Sequence, residues 1–316
     1  MDSTPIDRPA ADRRAHAAAA VTVLLWASAF VAIRDAGGHF GPGALALGRL
    51  LTGSVALVAL LLHRGEGLPR REAWPGIAIS GAVWFGVYMV VLNWGEQLVD
   101  AGTAAMVVNT GPLLIALLGG VLLHEGFPRM LVAGMAVSFT GAVVVGLSTS
   151  GPAGARTPLG IGLCLLAAAT YAAGVVAQKP ALGYASPLQV TAFGCLTGAV
   201  LCLPFTPQLL HDLGRAPAGA VLDMVYLGLF PTALACTTWA YALARTTAGR
   251  MGATTYAVPA LVVLMAWAVL DEVPPLPALA GGALCLAGVA VSRLRPAAAV
   301  TAPAGAGAPR RTSADR

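Results

Sequence analysis

Charge is what this sequence has least of. Aspartate, glutamate, lysine and arginine together make up 10% of its 316 residues, against about 25% in soluble domains, whose surfaces need them to stay hydrated. With 57% hydrophobic residues and a mean hydropathy of +0.77, that shortage excludes a soluble fold. Lysine occurs once, arginine eighteen times and glutamate five times. The arginine excess, with abundant alanine and glycine, points to a GC-rich bacterial genome. The net charge of +5 does not indicate nucleic acid, because no basic patch with interleaved aromatics accompanies it and the arginines fall at the ends of apolar runs.

Further absences narrow the chemistry. No Walker-type phosphate loop occurs, so ATP hydrolysis is not expected. The stretch His124-Glu-Gly-Phe-Pro begins like a zinc-protease helix but ends in Pro128 where the second histidine would stand. Cys164, Cys195, Cys202, Cys236 and Cys285 all lie in apolar runs, without CxxC spacing or a histidine neighbour. They read as small packing residues, and no metal or cofactor is expected. The nine aspartates are scattered, four of them in the terminal tails. That weakens the alternative of a membrane-embedded enzyme acting on a lipid or isoprenoid phosphate, which needs clustered acids at one membrane face. Glu96, Asp100, Glu125, Asp223, Asp271 and Glu272 all fall near the ends of apolar runs, so no mid-membrane carboxylate supports a proton relay. The longest polar stretch is 296–316, too short for a soluble signalling module, which sets aside a non-transporting sensor.

What is present is long apolar runs. A helix needs about 20 apolar residues to cross a hydrocarbon core of about 30 Å, since backbone groups cannot be left unpaired in lipid. Runs near 17–34, 43–62, 75–95, 101–123, 130–147, 158–178, 187–205, 220–244, 252–270 and 276–293 qualify or come close. The first resembles a signal peptide behind Arg13-Arg14, but the runs that follow favour an uncleaved span. With the N-terminus inside, fifteen basic residues fall on the cytoplasmic side and three, Arg34, Arg156 and Arg215, on the other. That asymmetry predicts ten helices with both termini cytoplasmic.

The chain also repeats itself. Shifted by 147 positions, 101–144 superposes on 248–291 without a gap, and thirteen of 44 positions are identical. The weight rests on Gly102/Gly249, Pro112/Pro259, Glu125/Glu272, Pro128/Pro275, Gly134/Gly281 and Gly141/Gly288. A weaker shift of 145 pairs Trp26 with Tyr171, Arg34 with Lys179 and Pro42 with Pro187. The expected organisation is an N-terminal tail (1–15), a first five-helix repeat (16–147), a connection (148–157), a second repeat (158–295) and a C-terminal tail (296–316), both tails disordered. Five helices is an odd number, so the second repeat enters the membrane from the opposite side, as in secondary transporters.

These residues resemble the EamA-type transporters of the drug/metabolite transporter superfamily over about 17–293. The resemblance is carried by Trp26-Ala-Ser-Ala-Phe, Pro42 with Arg49, and the stretch from Ala101 to Gly146 with Pro112, Glu125, Gly134 and Gly141. The second copy has Pro259, Glu272, Gly281 and Gly288. It implies an all-α bundle of ten membrane helices in a bacterial inner membrane. Such a bundle carries an amino acid, related metabolite or drug by alternating access, export being favoured, and is not an enzyme. Its partners are a small-molecule substrate and membrane lipid, with no nucleic acid. The lining helices it implies are 1, 3, 4, 6, 8 and 9. Arg49 departs from the symmetry, since it aligns with Gly194.

Polar groups within spans are functional candidates by default. Asn109 and Tyr256 stand three residues before Pro112 and Pro259, prolines that disturb the preceding turn and free carbonyls towards a cavity. They are expected either to contact substrate or to bond between helices at about 0.6 kcal/mol each. Trp26 and Tyr171 offer flat faces to a ring or ammonium group, or else belong to the interfacial belt. Trp84, Tyr88, Val91 and Gly95 share a helix face, which turns Tyr88 inward. Ser28 either lines the cavity or bonds its own helix. Arg49 lies about 9 Å inside its span at about 1.5 Å per residue. Snorkelling to the surface is the favoured reading for it, an anion contact or gate the other. Gly102 and Gly249 are gating candidates at helix ends, and Pro112, Pro259, Glu125 and Glu272 have gating or structural roles.

Overall fold

Prolines and small polar side chains start helices where the apolar runs begin. Pro42 and Pro187 stand in the first turns of their helices, where a missing N–H costs nothing. Ser186 adds a reciprocal cap, accepting from Gln189 N at 3.1 Å while Gln189 Oε1 accepts from Ser186 N at 2.9 Å. A computed structural model describes residues 8–98, 107–149, 158–270 and 276–294, and these are helical without a strand. In chain order the helices are α1 (Arg8–Gly37), α2 (Pro42–His63), α3 (Arg71–Leu98), α4 (Gly111–Leu122), α5 (Arg129–Thr149), α6 (Pro158–Ala181), α7 (Pro187–Leu213), α8 (Ala218–Leu243), α9 (Ala248–Thr254), α10 (Ala257–Leu270) and α11 (Leu276–Arg293).

Among the described residues, α2, α3, α6, α7 and α8 are long and apolar enough to cross a bilayer, and α4, α5 and α11 contain shorter apolar helices. One expectation is corrected. Residues 8–15, read as part of a disordered tail, open α1, because the alanines around them are strong helix formers. Glu272, Gly102, the C-terminal tail and most of the 148–157 connection lie outside the described residues.

The repeat becomes visible as contact between mates. A residue that touches its own repeat partner must lie on the symmetry axis relating the two copies. Ser138 Oγ donates to Cys285 O at 3.0 Å, and Cys285 Sγ donates to Ser138 O at 3.4 Å, across a separation of 147 residues. Tyr256 Oη donates to Asn109 O at 3.1 Å, again 147 apart. At the other shift, Cys195 Sγ donates to Leu50 O at 3.4 Å, 145 apart, and the Trp26 and Tyr171 rings stand 6.2 Å apart edge to face. The weaker shift is therefore supported by geometry.

Symmetry extends to local irregularities. Both α3 and α8 contain a π-helical stretch, Gly81–Tyr88 and Gly228–Leu234, whose first glycines are 147 apart. The breaks before Gly111 in α4 and between α9 and α10 correspond as well: Asn109 and Tyr256 sit at them, each three residues ahead of its proline. Two glycine-rich faces bring α5 and α11 together. A Cβ on Gly134 would lie 2.5 Å from Gly288 O, and one on Gly141 would lie 2.5 Å from Gly281 O, so only glycine permits this crossing.

Candidate functional site

A cavity of about 110 Å³ opens where the two copies meet. The first copy contributes Trp26, Arg49, Trp84, Tyr88, Asn109 and Pro112 to its wall, and the second contributes Tyr171, Pro231, Cys236, Thr255 and Val258. Its character is set by aromatic rings packed edge to face or tilted. Trp26 stands 6.1 Å from Trp84 and 5.0 Å from Trp239, Trp84 stands 5.6 Å from Tyr171, and Tyr88 stands 5.7 Å from Tyr171. Such geometry suits the ring quadrupoles and fixes each ring against its neighbours. Gly111 makes the approach of α4 possible, since a Cβ there would meet the Tyr171 ring at 2.9 Å.

One proline organises the polar side of this cavity. Pro231, inside the π-helical part of α8, has no N–H to offer the Leu227 carbonyl, and the Thr232 hydroxyl donates to that carbonyl at 2.8 Å. The same hydroxyl accepts from Arg49 Nε at 3.2 Å. Pro231 O accepts from Trp26 Nε1 at 3.2 Å, tying α1 to α8. Pro231 thus supports two wall residues of the other copy, Trp26 directly and Arg49 through Thr232.

Trp26, Tyr88, Asn109 and Tyr171 line the cavity, as do Arg49 and Pro112. Two expected contact residues do not. Ser28 is turned to its own helix and a neighbour, donating to Leu25 O at 2.9 Å and sharing a 2.7 Å hydrogen bond with Tyr226 Oη. Tyr256 is fully buried in a side cluster with Leu131, Met135 and Cys285, where its hydroxyl is spent on the Asn109 carbonyl that the helix break leaves accessible. Pro259 is also buried away from the wall. The snorkelling reading of Arg49 is corrected: the residue is 7% exposed and faces the cavity, because Thr232 of α8 holds its Nε inward.

Sequence reasoning put Trp84 on the inward face without naming it a contact residue, and overlooked Trp239, Pro231 and Thr232. A signal existed at the shift of 147, where Gly81 meets Gly228 and Trp84 meets Pro231.

Glu125 joins the copies at one end of the bundle. It sits between His124 (φ 55) and Gly126 (φ 71), a left-handed turn that closes α4 with Glu125 N donating to Gly119 O at 3.3 Å. Its carboxylate accepts from Ala248 N at 2.9 Å and Gly249 N at 3.3 Å, the first amides of α9. Gly249 therefore lies under a charge-assisted anchor. Glu125→Ala is expected to cost about 1–2 kcal/mol through these orphaned amides, read as a lower midpoint in thermal unfolding of the detergent-solubilised protein, with Glu125→Asp intermediate. Beside it, a cleft lined by His16, Lys179, Arg245, Thr247 and Arg250 is cationic. There the Lys179 ammonium donates to the carbonyl of Leu243, which ends α8, and to that of Thr246 in the turn beyond it.

Comparison with known proteins agrees with this architecture. The EamA-like transporter family profile matches the chain twice, over residues 13–147 and 158–294. A probable terminal-alkyne amino-acid exporter of Streptantibioticus cattleyicolor is 38% identical over 269 residues, 85% of this chain and 90% of that protein. The uncharacterized transporter YdfC of Bacillus subtilis is 32% identical over 273 residues, covering 86% of this chain and 88% of its own. One solved crystal structure superposes with a TM-score of 0.72 at 24% identity, covering 88% of this chain and 96% of the other, and attests the fold.

Proposed function

The chain belongs to the EamA-like transporter family, and from that premise we propose that it exports a small amino acid or closely related metabolite across the bacterial inner membrane. In this reading ten helices cross the bilayer as two oppositely inserted repeats, 16–147 and 158–295, with both termini cytoplasmic. The observation that carries it is the position of the cavity: an aromatic wall drawn from both copies stands where Trp26 meets its mate Tyr171, on the axis that relates them. A site on that axis is presented alike to either side when the copies exchange conformations, which is the geometric requirement of alternating access. The amino-acid exporter among its relatives supports the substrate class.

Direction draws on the cationic cleft at Lys179, Arg245 and Arg250, which the charge asymmetry puts on the cytoplasmic side, where it would gather anionic groups for loading. Glu125 would latch that end.

The test is efflux from cells preloaded with labelled amino acids, against an empty-vector control, combined with reporter tags on both chain ends. Faster efflux of at least one amino acid, with both tags cytoplasmic, is the expected result. Termini on opposite sides, or accumulation in place of loss, would defeat the reading.

A further inference from the structure

Arg49 is a buried charge with no contacting counter-ion among the described residues. It is 7% exposed within an apolar span, and among the described residues its side chain makes a single hydrogen bond, from Nε to Thr232 Oγ1 at 3.2 Å. Among the described residues no carboxylate stands within ion-pairing distance of it. A guanidinium has five N–H donors in a planar fork, so four remain, and the side chain lines the central cavity. Buried charges are ordinarily paired. A second polar group on the same wall, the buried Tyr171 hydroxyl, has only the Thr255 side chain beside it. Apart from Asn109, Thr255, Cys236 and the Tyr88 hydroxyl, the rest of the wall is aromatic and aliphatic, and the Trp26 N–H is already engaged by Pro231 O, which leaves its ring face for contact.

We propose that Arg49 anchors the carboxylate of the transported molecule while the faces of Trp26, Trp84 and Tyr171 receive its ammonium group and apolar side chain. The cavity then selects zwitterionic α-amino acids with apolar side chains. This rests on the export reading above and deepens it. A planar fork suits a carboxylate in bidentate geometry. One cation in an apolar wall balances a monoanion and leaves a phosphate dianion undercompensated. The same fixed cation repels amines that lack a carboxylate, so discrimination has a repulsive as well as an attractive part. The aromatic faces supply the quadrupole that an ammonium group prefers.

The experiment uses the purified full chain in nanodiscs, titrated calorimetrically with the apolar α-amino acids and with the amide and decarboxylated amine of each. At least one acid is expected to bind, and its amide and amine to bind about 100-fold more weakly, as for loss of one partner of a buried charge pair. Arg49→Gln should lower acid binding about 100-fold and strengthen amide binding by relieving the repulsion, abolishing the preference. Arg49→Lys should restore part of it. Should Arg49→Gln fail to fold, Thr232→Val keeps the cation but removes its positioning bond, and about a tenfold loss confined to the acid is expected. Equal binding of acid and amide, or no acid binding at all, overturns the assignment. If cells then still export a neutral or cationic solute, the transport reading survives alone; if no solute of any class moves, both fall.

Discussion

Gly134→Leu is expected to prevent assembly of the bundle, with loss of the monodisperse peak in size-exclusion chromatography and a destabilisation of about 3 kcal/mol or more. The reason is steric. A Cβ at Gly134 would stand 2.5 Å from Gly288 O and 2.7 Å from Ser292 Cα, and both obstacles are backbone, which cannot rotate away. The helices must separate, and with them go the reciprocal bonds between Ser138 and Cys285. Within lipid no hydrophobic force returns α5 to α11, since lipid tails solvate leucine as well as protein does; close packing is what holds the pair. Gly162→Ala is the matched control. Nothing lies within 4 Å of its Cβ, and there the helix preference of alanine, about 1 kcal/mol, should act alone and stabilise. If Gly134→Leu unfolds at the same temperature as the parent, the close crossing of α5 and α11 is wrong.

Trp26→Ala should reduce efflux at least 100-fold and lower stability by about 3–5 kcal/mol. Trp26 is central to the ring network, in contact with Trp84, Tyr171 and Trp239, and its N–H is the direct tie from α1 to Pro231. Removing the indole deletes a cavity wall and that tie together. Trp26→Phe separates the two, keeping a ring face and losing only the bond, at about 0.6–1.7 kcal/mol within a membrane. Efflux by Trp26→Phe is therefore expected close to the parent, with a small fall in thermal midpoint. Equal efflux by Trp26→Ala and the parent would remove the aromatic wall from the transport path.

How much of the site was legible depended on what kind of signal each residue leaves. Asn109 and Tyr256 were found together because a proline marks a helix break in any environment, yet the structure gives them different tasks, one on the wall and one bracing it from behind. Glu125 stood out because carboxylates are scarce, and its partner amides could not be guessed because any backbone N–H serves equally well. Arg49 was noticed as a buried charge, but its direction was not readable, since it is fixed by Thr232 on a helix 183 residues away. Of the two readings for Ser28 the bond to its own helix is the one seen, and its second partner, Tyr226, was too remote in sequence to be read.

The sequence by itself determined the membrane environment, the helical class and the duplication. Each follows from composition or from self-similarity, and neither needs knowledge of which side of a helix faces where. Only the tertiary structure decided which residues share the cavity. In water an apolar stripe distinguishes the inner face of a helix from the outer. In a bilayer both faces are apolar, that contrast disappears, and packing contacts between distant helices alone turn Arg49 inward, Ser28 aside and Tyr256 into the wall's support.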